Sequence, residues 1–473
     1  MRPVRTSEPV RGLCVLERIR QWLGSLAPVQ LLALFFVIAI VIGTGLLLLP
    51  FSTTSPITFI DAAFTAVSAV CVTGLIVVET GTQFTGFGQG VILTLIQFGG
   101  LGIMATSTFV LLTLGNRASL RNLIMLRDEY TVSGGGSAKR VFLIVATFTI
   151  VAQVVGAIVL TRRFGSGPVQ GHNALWAGIF HSVSAFCNAG FSLFNDSFVG
   201  YRNDLTINMM VPFLIIFGGL GFPALIDLYR KVRARIHGTH VALSLHAKIV
   251  FTSTLVLLVV GTVGFFAIEG AMLQGASFGE QVQASWFQSV TTRTAGFNTL
   301  ELSKASEPTL LLSMVMMIIG GSPGSTAGGI KTTTLVVIFL VVIARLRGHE
   351  RVEIGKRSIP AAVITKALVV AVLGAALIVI ATLLLLITDG GSGRQLVEGH
   401  GNFVGLLFEV VSAFGTVGLS VLKSTGDLTG GGKVIIMCVM YLGRLGPLLL
   451  AQMVFAADKP QHYKYPEEYL LVG

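Results

Sequence analysis

Eight long apolar runs, at about 29–50, 86–113, 138–161, 206–229, 246–268, 308–346, 363–388 and 433–456, set what this 473-residue chain can become. Each is long enough to cross ~30 Å of hydrocarbon as a helix. Hydrocarbon offers no partners to backbone N–H and C=O groups, and helices satisfy their own. The chain therefore reads as an all-α integral membrane protein. Charged residues make up 12% of it, about half the ~25% of a soluble domain. The run at 308–346 is too long for one crossing and is interrupted by Gly and Pro at its middle.

Between the members of each pair of runs lies a shorter, moderately apolar stretch, at 58–69, 171–184, 278–290 and 401–413. Ten to fourteen such residues cannot span and suit a re-entrant helix. Basic residues sort by side. Arg2, Arg5, Arg11, Arg18 and Arg20 precede the first run, and each even-numbered run up to the sixth is followed by a basic linker. The opposite loops carry few basic residues, among them Arg162, Arg163, Lys304 and Lys433. Positive charge collects on the cytoplasmic side, so both termini are expected there, and all four short stretches enter from outside. The net charge of +11 is a topology signal; no base-reading motif suggests nucleic acid. No small-residue cleavage site follows the first run, so no cleavable leader is expected.

The ends of the four short stretches align without gaps: Val67 to Leu75 (VSAVCVTGL), Val183 to Phe191 (VSAFCNAGF), Ser289 to Phe297 (SVTTRTAGF) and Val411 to Leu419 (VSAFGTVGL). A small residue or Val precedes one Gly, and a bulky apolar residue follows it, four times. Four extended strands around one axis can offer rings of backbone carbonyls in place of a cation's water. Irregular backbone at membrane depth survives where it lines a water-filled path or is buried in protein. The expected architecture is four M1–pore helix–M2 repeats, with eight transmembrane helices and four re-entrant pore helices, around one central pore. The repeats run 29–116, 117–235, 236–350 and 351–456, between tails 1–28 and 457–473.

The runs that follow the loops echo one another: Phe98-Gly99-Gly100-Leu101-Gly102, Phe217-Gly218-Gly219-Leu220-Gly221 and Leu442-Gly443-Arg444-Leu445-Gly446. The third departs, reading Gly320, Gly321, Ser322, Pro323, Gly324, Ser325, Thr326, Ala327, Gly328, Gly329, Ile330, Lys331. Gly and Pro make a continuous helix there costly. This break below the loops reads as a gate, with a plain packed kink as the alternative.

At these residues the sequence resembles the Trk/Ktr/HKT superfamily of potassium transporters, from about residue 29 to residue 456. Trk-type members carry two further N-terminal spans. Only one span precedes the Gly74 loop here, so the chain is most similar to Ktr-type membrane subunits. The resemblance implies potassium uptake through a selectivity filter built from Cys71, Val72, Thr73 and Gly74; Cys187, Asn188, Ala189 and Gly190; Thr294, Ala295 and Gly296; and Gly415, Thr416, Val417 and Gly418. Some sodium-preferring plant relatives have Ser where Gly74 stands, and a sodium-coupled or sodium-permeable transporter is the alternative. The break at 320–330 becomes an intramembrane gating loop, with Arg444 matching a basic residue of the last span. The implied setting is a plasma (cell inner) membrane homodimer with one pore per chain, on a cytoplasmic ring of nucleotide- and NAD-binding regulatory subunits. No Gly-x-Gly-x-x-Gly fingerprint follows a strand here, so such a regulator is a separate protein and no organic cofactor is expected in this chain.

Ionisable residues at membrane depth invite functional readings. Arg293 is expected to point behind the filter and pair with Glu409. Arg444 is expected to donate to carbonyls of the gating loop. Lys331 has two readings, a gate cation or a side chain reaching to the cytoplasm. Asp61 reads as a cap of the first pore helix, His181 as a packing and hydrogen-bonding group, and Cys71 and Cys187 as small buried side chains. An intramembrane enzyme lacks a nucleophile–base pair or ligand set.

Overall fold

A computed structural model describes residues 28–101, 138–166, 172–268, 275–354, 357–390, 402–422 and 425–446. The terminal tails, Cys14 and the basic linker after the second run lie outside the described residues.

The chain passes four times through the same order of elements. The first pass has α1 (Pro28–Leu47), α2 (Phe59–Val70) and α3 (Gly86–Gly100). The second has α4 (Ala138–Gly165), α5 (Ala174–Cys187), α6 (Leu205–Gly219) and α7 (Phe222–Ile236). The third has α8 (Leu245–Ile268), α9 (Phe278–Thr291), α10 (Glu307–Ile318) and α11 (Thr332–Leu346). The fourth has α12 (Ala361–Leu385), α13 (Asn402–Gly415) and α14 (Gly430–Leu445). Two short antiparallel strands, β1 (Glu353–Ile354) and β2 (Arg357–Ser358), join the last two passes.

Local chemistry fixes where the helices begin. Thr58, Asn173 and Ser277 cap α2, α5 and α9 by accepting backbone N–H bonds. Ser277 and Glu280 form a reciprocal capping box, which satisfies donors that no carbonyl in the helix can reach. Thr85, Asp204 and Thr429 cap α3, α6 and α14, each by accepting one backbone N–H bond.

The outer helices turn large apolar side chains outward. Val41 and Ile42 on α1, Val151 and Val154 on α4, Leu255 and Val263 on α8 and Val372 and Leu383 on α12 are all exposed. A surface this apolar is at home in hydrocarbon, not in water. The interior is made of pore helices, buried along most of their length, with Ser68, Ser184, Ser289 and Ser412 fully covered. Small residues let helices approach where no hydrophobic drive separates core from solvent. Gly156 lies against the Ser182 hydroxyl, which donates to the Gln153 carbonyl at 2.7 Å. The Ser289 hydroxyl likewise donates to the Leu258 carbonyl at 2.9 Å.

The run at 206–229 is not one straight span. α6 and α7 meet at 102°. The bend falls on Gly221, at φ +84° and ψ 140°, with Pro223 just inside α7. Only Gly holds such a backbone without strain. Gly446 ends α14 in the same conformation, φ +84° and ψ 139°.

Candidate ion pathway

Each pore helix ends in a turn of the same unusual form. Two residues before the aligned Gly, the backbone is left-handed: Val72 at φ 56°, Asn188 at 61°, Thr294 at 68° and Thr416 at 50°. The glycines follow at φ 88° for Gly74, 70° for Gly190, 78° for Gly296 and 90° for Gly418. Peptide carbonyls of an ordinary strand alternate sides. Reversing the sign of φ at every second residue turns successive carbonyls the same way. Val72, Thr294 and Thr416 are β-branched, for which this region is an outlier. Such strain costs ~1–3 kcal/mol per residue and persists only where surroundings enforce it.

The surroundings here are the neighbouring strands. A Cβ on Gly74 would strike the Ala189 carbonyl oxygen, and one on Gly190 would strike that of Ala295. A Cβ on Gly296 would strike the Val417 carbonyl, and one on Gly418 that of Thr73. The contacts run from first to second, third, fourth and back to first, so the four strands close a ring. Every contacting carbonyl belongs to the residue just before a filter Gly.

Hydroxyls from the pore helices hold each turn. Thr73, Ala189 and Val417 donate backbone N–H bonds of 2.8 Å to the carbonyls of Ser68, Ser184 and Ser412. The Gly74 and Gly418 amides each donate to a hydroxyl, of Ser68 and Ser412, at 3.1 Å. The Ser184 and Thr291 hydroxyls donate instead to the carbonyls of Phe191 and Phe297. Asn188 and Thr294 meet through their side chains, 3.2 Å apart.

Beneath the ring lies the segment that interrupts the third M2 helix. Gly320 donates to the Ile330 carbonyl at 2.9 Å, closing the base of the loop between α10 and α11. The second unit holds its far side: Ser322 and Thr326 donate to Gly219 and Gly218 carbonyls, and Phe222 donates to that of Gly324. Arg444, buried on α14, donates to the carbonyls of Thr326 and Gly99. One guanidinium thus ties the loop to the fourth and first units. Lys331 does not simply reach away from the loop; its Nζ donates to the Ala327 carbonyl at 2.6 Å. A Cβ on Gly328 would strike the Thr416 hydroxyl, so the loop sits directly under the filter layer. Ala327, Ser325 and Gly329 are buried with it, while Pro323 is partly exposed.

The expected Arg293–Glu409 pair is not formed. Glu409 accepts from the Ser420 and Thr425 hydroxyls. Its oxygens are satisfied by the strand that leaves its own filter turn. Arg293 faces the second unit instead, beside Ile215, Gly219 and Gly321, with its Nε unbonded among the described residues. It occupies the sequence position of Cys71, Cys187 and Gly415, and the last two lie against the inner end of the preceding M2 helix. Cys187 touches Gly100, and Gly415 lies against the Met317 carbonyl. Cys71 and Cys187 are free, buried thiols. His181 bonds Ala177 and Ser192 at 2.8 and 3.0 Å inside a cage of Phe164, Phe180, Phe194 and Phe198.

One set of contacts went unread in the sequence. The fourth residue of an M2 helix reaches the next unit's pore helix. Trp176 donates to Gln89 at 2.7 Å, Asn208 to Gln283 at 3.2 Å, and Lys433 to Asp61 at 2.7 Å. Asp61 thus caps α2 with Thr58 and also pairs with the last unit. The signal was present in the spacing: Gln89, Asn208 and Lys433 each stand three residues after a helix start. At the remaining junction the equivalent residue is Leu310, buried in one apolar cluster with Leu406 and Val410.

Comparison with known proteins agrees with this architecture. The profile of the TrkH family, described as cation transport protein, matches residues 17–463. The Ktr system potassium uptake protein B of Bacillus subtilis is 38% identical over 464 residues, 97% of this chain and 99% of the relative. The potassium/sodium uptake protein NtpJ of Enterococcus hirae is 37% identical, over 97% of this chain and 99% of its own. The crystal structure of the potassium transporter TrkH from Vibrio parahaemolyticus superposes with a TM-score of 0.69 at 20% identity, covering 92% of this chain and 85% of that one. That likeness shows the fold of a helical membrane pore. By profile, by full-length identity and by fold, the chain belongs to the TrkH family of cation transport proteins.

Proposed function

We propose that this chain is the membrane subunit of a Ktr-type system and carries potassium through the ring of filter strands. The cyclic contact of Thr73, Ala189, Ala295 and Val417 carbonyls with their neighbours' glycines carries this reading. A potassium ion in that ring exchanges its water for backbone oxygens. Four pore helices end at Val70, Cys187, Thr291 and Gly415, and the negative ends of their dipoles favour a cation there. Residues 320–330 close the path below, pinned by Arg444, whose charge also discourages a cation from passing. Opening then requires Arg444 to release the Thr326 and Gly99 carbonyls.

The four repeats run 29–116, 117–235, 236–350 and 351–456, with both termini in the cytoplasm of the inner membrane. The chain works as a homodimer, one pore per chain, on a separate nucleotide-binding ring. The name "Ktr system" borne by relatives over nearly their full length supports a partner subunit. A second reading is sodium passage, favoured by the 37% identity to a potassium/sodium uptake protein.

The test is expression in cells lacking their own potassium uptake, with rubidium uptake measured at low external potassium, with and without a cytoplasmic regulator from the same source. Rescue by the native chain and relaxed selectivity in Gly296→Ser support the filter reading. Absence of uptake with the regulator present, in a chain that reaches the membrane, rejects potassium and leaves sodium flux as the reading to measure.

A further inference from the structure

A groove of about 770 Å³ opens sideways between α8, α11 and the β1–β2 hairpin. Cavities of ~300–1,000 Å³ suit small ligands. Its walls are apolar, with Val256 on α8 and Leu335 and Phe339 on α11. Phe339 is 63% exposed and Val256 51%, so the wall faces the space that hydrocarbon fills. Two cations stand at one end, Lys248 in the first turn of α8 and Arg357 on β2. Both are exposed, and neither belongs to an ion pair among the described residues. In the hairpin register Arg357 faces Ile354, whereas Glu353 pairs with Ser358. Successive residues of a strand point to opposite faces, so Ile354 and Arg357 share the groove face and Glu353 is turned from it.

We propose that this groove binds an anionic phospholipid of the surrounding bilayer, its phosphate between Lys248 and Arg357 and an acyl chain along Val256, Leu335 and Phe339. Charge complementarity selects this occupant: an apolar trough with a doubly cationic end matches a lipid with a negative head and no other membrane component as well. Basic residues at the membrane surface are attracted to anionic lipid. One wall of the groove, α11, starts at Thr332 directly after the loop ending at Lys331. Occupancy therefore braces the helix on which that loop is mounted, a consequence that rests on the gate reading, whereas the binding itself does not.

The test needs no transport. Phe339→Trp protein is placed in phosphatidylcholine bilayers containing a minor fraction of brominated phosphatidylglycerol, or of brominated phosphatidylcholine, and the quenching added by the new tryptophan is recorded against the parent chain. Quenching by brominated phosphatidylglycerol several-fold above that by brominated phosphatidylcholine, reduced to equality in Lys248→Gln/Arg357→Gln, is the expected result. Equal quenching by both lipids in the unaltered groove overturns the proposal, since it shows contact without headgroup recognition. A tryptophan that neither lipid quenches also overturns it and assigns the groove to a second copy of the chain. Both altered cations are exposed, and an unchanged melting temperature of the double variant confirms that it is folded.

Discussion

The third unit and the other three build one ring of strands but rest on it differently. In the first, second and fourth units, the M2 helix sets a glycine, Gly99, Gly218 or Gly443, against the last carbonyls of its own pore helix, at Val70, Phe186 and Phe414. A side chain at any of these positions would push the pore helix away. In the third unit α10 stops at Ile318, and the next residues leave to lie under the filter, held by groups of the other three. The same unit lacks the polar contact from its M2 helix to the next pore helix, having Leu310 where Gln89, Asn208 and Lys433 stand. Under the proposed function, ion selection needs four matching corners. A closing element there needs one corner released from the match, and the released corner is fastened by its neighbours as well as by its own base.

The comparison breaks most severely if a filter corner is altered. Gly418→Ala places a Cβ into the Thr73 carbonyl at φ 90°, and left-handed backbone alone costs an alanine ~1–2 kcal/mol. Rubidium uptake should fall about tenfold or more; uptake near the native rate would show that the ring is looser than its contacts. Next is the pin under the filter. Arg444→Gln removes charge-assisted bonds worth about 1.5–3 kcal/mol each, so flux without a regulator should rise several-fold. Unchanged flux would dissociate the loop from gating. Smaller still is the junction between the first and last units. Lys433→Met leaves Asp61, only 16% exposed, without its cation, and should cost ~1–3 kcal/mol of stability. A melting temperature in detergent reports it, and adding Asp61→Asn should recover much of the loss. Asn208→Ala should cost about 1 kcal/mol, read by the same melting temperature.

Much of this was legible in the sequence because it was written four times. The pore helices fall within about three residues of the stretches read from hydropathy, and the filter glycines share one backbone form. What repetition could not reveal was the partner across a junction. Glu409 and Arg293 are buried ionisable groups of neighbouring units, and opposite charge alone invites a pair. Glu409 turns to its own returning strand, while Arg293 turns to the preceding M2 helix, and an alignment of repeats carries no information about which neighbour a side chain meets. The bend at Gly221 had a visible cue in Gly-Phe-Pro, but a hydropathy window averages through a single positive φ. The Lys433–Asp61 contact joins positions 372 residues apart, beyond any local pattern.

The ring of contacts also has a bearing on how such a filter can change over generations. Its four corners are encoded separately, at Gly74, Gly190, Gly296 and Gly418. In an assembly of four identical chains, one altered codon strikes every corner together. Here it strikes one. Asn188 can meet Thr294 while the corners at Val72 and Thr416 keep other side chains, so under the proposed function ion preference becomes a quantity adjustable in quarter steps, each tried while three unaltered corners still hold the pathway's shape.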